Sequence, residues 1–249
     1  MKMNAMQMQQ QNNKGVEVIK TDSGEIKLSI HTIRQYLVNG QGNVTDQEAM
    51  MFLGLCKGQK LNPFIKEAYL IKYGDKQPAT MVVSKDVFMK RAIKNPDFEG
   101  IESGVIVLNS YGEVEYKKGA FYLKDREQLV GAWATVHRKS WKYPISLEVN
   151  YDEYVGRKSN GEVNAQWASK PATMIIKVAE TQALRKAFVE DLQGMYDESE
   201  MNVTVDNNVV DVVDTQAPQV KQEVIEEPKT QQEIYQESIP VVENGNDIF

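Results

Sequence analysis

Thiol and imidazole side chains are scarce in this chain. A single cysteine, Cys56, excludes an internal disulfide framework and a cysteine-based zinc site. It ends the helical run Ala49–Cys56 and reads as a buried, inert thiol. The two histidines, His31 and His137, stand far apart, which argues against a His-based metal site or a Ser-His constellation and leaves carboxylate chemistry open. No apolar run approaches the roughly 18 residues of a membrane span, and the opening MKMNAMQMQQQNNK lacks the apolar core of a signal peptide. The expectation is a soluble, cytoplasmic protein with no membrane partner. No Walker-type phosphate loop and no G-x-G-x-x-G after a strand is present, so ATP use has no support. Carboxylates such as Asp152-Glu153 and Asp197-Glu198-Glu200 sit at element ends as solvated caps and lack the spacing of a two-metal nuclease.

Charge is present in quantity but unevenly placed. Of 29 basic and 35 acidic residues, two basic and ten acidic fall after residue 200, leaving 27 and 25 before it. Residues 201–249, rich in Val-Asp, Gln, Glu and Pro, read as a disordered acidic tail, and residues 1–24 as a disordered N-terminal segment, Gln/Asn/Met-rich over its first 14 residues. Between them lies one domain, residues 25–200. Its basic island is residues 57–94, with nine Lys/Arg against three carboxylates. What matters for a polyanion is this local field rather than the net charge.

The element pattern is α+β. Residues 26–38 read as a strand or loop leading into a short helix. Thr45-Asp46-Gln47-Glu48 is a capping box opening a helix to about Gly58. Glu67–Lys72 and Thr80–Val83 form a hairpin, and Ser84 caps a helix ending at Asn95-Pro96. On that helix Phe88, Met89, Ala92 and Ile93 share one face, and Lys90, Arg91 and Lys94 the other, either as a solvated surface or as a phosphate-contacting one. Segments Val105–Leu108, Glu113–Tyr116, Phe121–Leu123, Leu129–Val136 and Pro144–Val149 suggest an antiparallel meander of three to five strands. The turn from His137 to Tyr143 interleaves cations and aromatics, a composition suited to binding a backbone while stacking on bases. Residues 157–166 read as a flexible loop. A helix from Ser169-Lys170-Pro171 to about Leu192 buries Ile176, Ala179, Ala183 and Ala187, with Lys177, Thr181 and Arg185 as a polar stripe. Arg185 is placed either to pair with Glu180 or Asp191 or to meet phosphate.

Leu61-Asn62-Pro63-Phe64-Ile65-Lys66-Glu67-Ala68-Tyr69 resembles the L-N-P-W-x-K-E-I-Y segment of the Bet/RecT family of phage single-strand annealing proteins, typified by lambda Red beta. Four further collinear pieces are similar to it. Val82-Val83-Ser84-Lys85-Asp86 with Phe88 resembles V-V-x-V-D-G-W, and His137-Arg138-Lys139 through Pro144-Ile145 resembles Y-R-K…H-P-I. Trp167 with Pro171 and Met174 tracks W-x-x-H-P-x-x-M, and Arg185-Lys186-Ala187-Phe188 with Met195-Tyr196-Asp197 resembles R-L-A-F…I-Y-D. The departures are Val87 for glycine, Phe88 for tryptophan, Ala172-Thr173 where the family is basic, and Ile176 in place of a basic residue.

The resemblance implies a curved antiparallel sheet flanked by helices, with DNA in a basic groove crossing adjacent subunits. It implies a protein without enzymatic chemistry: an ATP-independent recombinase that binds single-stranded DNA, oligomerises as a ring or helical filament and pairs complementary strands through an annealed duplex intermediate. The implied partners are a phage 5'-3' exonuclease and a host single-strand-binding protein. No bound cofactor is expected; Mg2+ would promote annealing by acting on the protein or on the strands. The implied phosphate contacts are Lys66 and Arg185, then Lys90, Lys170 and Lys177, then Arg138, whereas Phe88 reads as core or groove wall. A protein that protects single strands without pairing them, and a nuclease or nucleotidyl transferase, are the rival readings.

Overall fold

A computed structural model of the chain describes residues 15–158 and 160–201. Residues 1–14 and most of the expected acidic tail, 202–249, lie outside the described residues. The N-terminal boundary moves: the segment expected to be disordered through residue 24 contains strand β1 (Glu17–Thr21), paired antiparallel with β2 (Gly24–Leu28). Ile19 and Leu28 are buried in the core and Ile26 packs against it partly buried, so these apolar side chains secure the hairpin.

The capping signals act as written. Thr45 and Glu48 exchange hydrogen bonds at 3.2 and 2.8 Å to open α2 (Asp46–Gly58), which follows a short α1 (Ile30–Tyr36) and β3 (Val38–Asn39). The face of α2 bearing Ala49, Phe52, Leu53 and Cys56 is buried. Next come β4 (Ala68–Ile71) and β5 (Thr80–Val83), an antiparallel hairpin to which β3 adds a parallel edge. Ser84 caps α3 (Lys85–Lys94), which buries Val87, Phe88 and Ala92. That face is rotated towards Val87, so Ile93, expected inside, lies past its edge and is 64% exposed.

The larger sheet comprises β6 (Phe98–Leu108), β7 (Val114–Lys118), β8 (Gln128–Arg138) and β9 (Ile145–Asn150). It is fully antiparallel, in the order β7-β6-β8-β9. The order departs from a simple meander because Phe121–Leu123 is not a strand. The Leu123 carbonyl accepts from the N–H groups of Arg126 and Glu127 at 3.0 and 2.8 Å, and the Glu127 carboxylate accepts from Leu123 N–H at 2.9 Å. Backbone groups used in that turn cannot join a ladder. The chain therefore leaves the sheet after β7 and returns as β8 on the other side of β6.

After α4 (Tyr151–Tyr154) and α5 (Ala165–Ser169), helix α6 (Pro171–Ala187) lies on β6, β8 and β9. Ala132 and Ala134 of β8, together with Ala179 and Ala183 of α6, are fully buried, and small side chains permit that close packing. The helix ends earlier than the expected Leu192: Phe188 adopts φ −127° and ψ 57°, and α7 (Val189–Leu192) is a separate turn. Among the described residues no helix is long and apolar enough to cross a membrane.

Candidate nucleic-acid interface

Asn62 and Pro63 shape the loop before β4. The Asn62 side chain accepts from Phe64 N–H at 3.0 Å, Pro63 starts a single 3-10 turn, and Lys66 closes it in the left-handed region with φ 60° and ψ 29°. Such backbone is uncommon outside glycine and is held here by its surroundings. The neighbouring Glu67, 8% exposed, supplies them. One carboxylate oxygen accepts from Asn62 N–H at 2.9 Å and the other from Lys90 Nζ at 2.6 Å, joining both ends of the loop to α3. Lys66 is thereby directed outward, exposed and without a side-chain partner among the described residues.

This loop forms one wall of a cavity of about 610 Å3, closed by Tyr36 and Leu37, by Ala68 and Tyr69 of β4, and by Ser84, Asp86, Val87 and Lys90 at the start of α3. Lys66 and Lys90 thus share one site, but in different states. Lys90 is committed to Glu67; Lys66 is available. The other cations of α3 are also engaged: Arg91 with the Gln59 side chain and carbonyl and with the Asp191 carbonyl, and Lys94 with Asp22 at 3.3 Å. These contacts tie α3 to its neighbours, while the Lys90 and Lys94 side chains stay 39% and 56% exposed.

Lys170 lies elsewhere, exposed at the start of α6 beside Lys124, Phe121 and Tyr122 in a groove of about 230 Å3. Phe121 is 76% exposed. Lys177 is half-buried and faces Glu198, whose carboxyl is raised by burial and by the neighbouring Asp197 while Lys177 opposes the shift.

Arg185 and Arg138 occupy structural positions. Arg185 makes a two-pronged pair with Glu200 at 2.8 and 2.5 Å, donates to the Met195 carbonyl at 3.1 Å and stacks 4.6 Å over Tyr196. Its partner is Glu200 rather than Glu180 or Asp191, because Glu180 pairs with Lys85 and accepts from Ser103, and Asp191 accepts from Asn95. The acidic run at 197–200 does cap a turn, but Glu200 is buried rather than solvated. Arg138 bonds Asp97 and the Ala187 carbonyl, each at 2.6 Å, with its guanidinium 4.6 Å from Trp141 and 4.9 Å from Phe188. In the cation–aromatic turn Lys139 through Tyr143 are exposed, with Lys139 donating to the Pro96 carbonyl at 2.8 Å and Lys142 lying 5.2 Å from the Tyr143 ring. Phe88 is core.

The residues absent from the sequence-based set are Glu67, Tyr36, Phe64, Ile65, Phe121 and Lys124. Phe64 and Glu67 stand within the L-N-P-F-I-K-E segment and were legible there; Tyr36 and Lys124 reach their sites only through the fold. Among the described residues no group of three or more His, Cys, Asp or Glu side chains is placed to hold a metal ion.

Comparison with known proteins agrees with the segment that organises this loop. The family described as the RecT family matches residues 23–213. An uncharacterized protein of Ureaplasma parvum serovar 3 is 28% identical over 164 residues, 64% of this chain and 64% of that protein, so the chain spans less than two thirds of its length.

Proposed function

This chain belongs to the RecT family, and on that premise we propose that it is an ATP-independent annealing protein. It binds single-stranded DNA, assembles on it as an oligomer and pairs complementary strands in phage homologous recombination, on substrate exposed by a 5'-3' exonuclease. The observation that carries this reading is the outward Lys66, unpartnered among the described residues, on a loop of constrained geometry and flanked by exposed Phe64 and Ile65. Lysines neutralise phosphates and release counterions, which gives sequence-independent, salt-sensitive binding. Exposed aromatic faces accept any base, since every base has a π-face. Annealing then needs only that two like-charged strands be held together, extended and open to Watson–Crick testing. Lys66 and Lys170 are the phosphate contacts in this proposal, with Lys124 and Phe121 beside Lys170. Lys90, Arg138 and Arg185 act by holding the fold.

The test is pairing of two labelled complementary oligonucleotides without ATP. Wild type should accelerate it, and Lys66→Ala and Lys170→Ala should each slow it while unfolding normally. Tight binding with slowed pairing in the wild type would indicate a protector of single strands, and metal-dependent loss of labelled DNA would indicate a nuclease.

A further inference from the structure

The cavity at the Asn62–Lys66 loop holds one charge that phosphate binding does not explain. Two carboxylates line it, and they differ in state. Glu67 is engaged by Lys90 and by Asn62 N–H. Asp86, in the first turn of α3, is exposed, and its carboxylate has no hydrogen bond or ion pair among the described residues. A bare carboxylate in the cavity that Lys66 lines repels phosphate and so opposes the strand contact Lys66 supplies. The cavity is also more apolar than a phosphate contact requires. Tyr36, at the end of α1, and Phe64 and Ile65, in the 3-10 turn, are 69%, 48% and 55% exposed on its walls. Its volume of about 610 Å3 falls among those of small-ligand sites, roughly 300–1,000 Å3.

We propose that this cavity takes a nucleobase of the bound strand, with Tyr36 and Phe64 against its faces and Asp86 accepting from its exocyclic amino group. The inference rests on the annealing reading, which supplies the strand. Cytosine and adenine carry an amino donor where thymine and uracil present a carbonyl acceptor. An ionised carboxylate only accepts, so Asp86 attracts the first two bases and repels the others. Each of those amino groups has two hydrogens. Watson–Crick pairing uses one and leaves the other on the major-groove edge, so a base held by Asp86 keeps its pairing edge intact. One free cation and one free anion in a single cavity thus match the two ends of a nucleotide: Lys66 takes the phosphate and Asp86 the base. Phosphate contacts stay indifferent to sequence, and base composition enters through Asp86.

The test compares oligo-dC with oligo-dU of equal length, by fluorescence anisotropy at pH 8, on the full chain and its Asp86→Asn variant. Both are pyrimidine strands without the thymine methyl. Wild type should bind oligo-dC about two- to tenfold more tightly, the range one hydrogen bond supplies. Asp86→Asn, whose amide both donates and accepts, should remove most of that difference. Equal affinity for the two strands, or a preference that Asp86→Asn leaves intact, would overturn the proposal and leave the annealing reading standing. Asp86 would then be a charge that complements the α3 dipole. Failure to bind either strand would overturn both readings. A second measurement needs no variant: strands carrying 5-iodocytosine, irradiated in complex with wild type, should crosslink to Tyr36 or Phe64. Crosslinks confined to Phe121, Tyr122 or other aromatics, or none at all, would remove the base from this cavity and overturn the proposal.

Discussion

The Lys72 ammonium lies 2.8 Å from both carboxylate oxygens of Glu48, with 3% of the lysine side chain exposed. The pair joins the first turn of α2 to the residue after β4, and the same carboxylate accepts from the N–H groups of Thr45 and Ala79. Burial alone would raise this carboxyl, but the ammonium and the N–H donors together hold it down to about 2. A carboxyl depressed in the folded state stabilises it above the ordinary value of 4.5, and that contribution is lost as pH falls from 4.5 towards 2. Glu48→Gln should therefore cost about 3–5 kcal/mol at pH 7, since it leaves a buried ammonium unpaired. Urea unfolding should show the gap to wild type narrowing at pH 3. An equal gap at both pH values would remove Glu48 as the linked group.

Lys66 and Lys90 line one cavity and should respond differently. Lys66→Ala should weaken single-strand binding and lower the slope of log affinity against log salt by about 0.7 for each phosphate that is no longer neutralised. Lys90→Ala should instead lower the unfolding midpoint, because it strands the buried Glu67 carboxylate. Fluorescence anisotropy over a salt series, with thermal unfolding of both variants, distinguishes them.

Arg185→Ala should cost about 3–5 kcal/mol of stability by leaving Glu200 as an unpaired buried charge. Glu200→Gln should lose a comparable amount, and the double variant less than the sum. Additive losses in the double-mutant cycle would return Arg185 to the candidate DNA-binding residues.

Gly104 is required by its neighbour on the next strand. A Cβ there would stand 1.7 Å from the Lys117 carbonyl oxygen, which also accepts from the Trp133 indole N–H at 3.2 Å. Gly104→Ala should lower stability by at least about 1–3 kcal/mol. Tryptophan fluorescence should change with it, and a wild-type midpoint in thermal unfolding would contradict this packing.

Cys56 is fully buried, and burial pushes its thiol up to about 12. The native protein should resist thiol reagents at pH 8 and react stoichiometrically in denaturant. Rapid labelling without denaturant would show that the α2 face opens.

Much of the fold was legible because its signals are local. Thr45 and Glu48 lie three residues apart, Ser84 directly precedes its helix, and the Ala68–Ile71 and Thr80–Val83 pairing follows from alternation and a turn. The L-N-P-F-I-K-E segment likewise announced the loop carrying Lys66. The strand order escaped that reading because Phe121–Leu123 has strand-like composition while its backbone is held in a turn by Glu127. Ile93 escaped it because the buried face of α3 is set by what packs against Val87 and Phe88.

By itself, then, the chain's sequence determined helix starts and stops, hairpin positions and the concentration of lysine in residues 57–94, since each depends on neighbours within a few residues. Only the tertiary structure decided which cations remain available. Lys90 meets Glu67 from 23 residues away, Arg138 meets Asp97 from 41, and Arg185 meets Glu200 from 15. Periodicity places a charge on a helix face, but a partially buried cation with a carboxylate at hydrogen-bond distance is already neutralised. That meeting is made by packing, which is why Arg138 and Arg185 became part of the frame while Lys66 was left facing solvent.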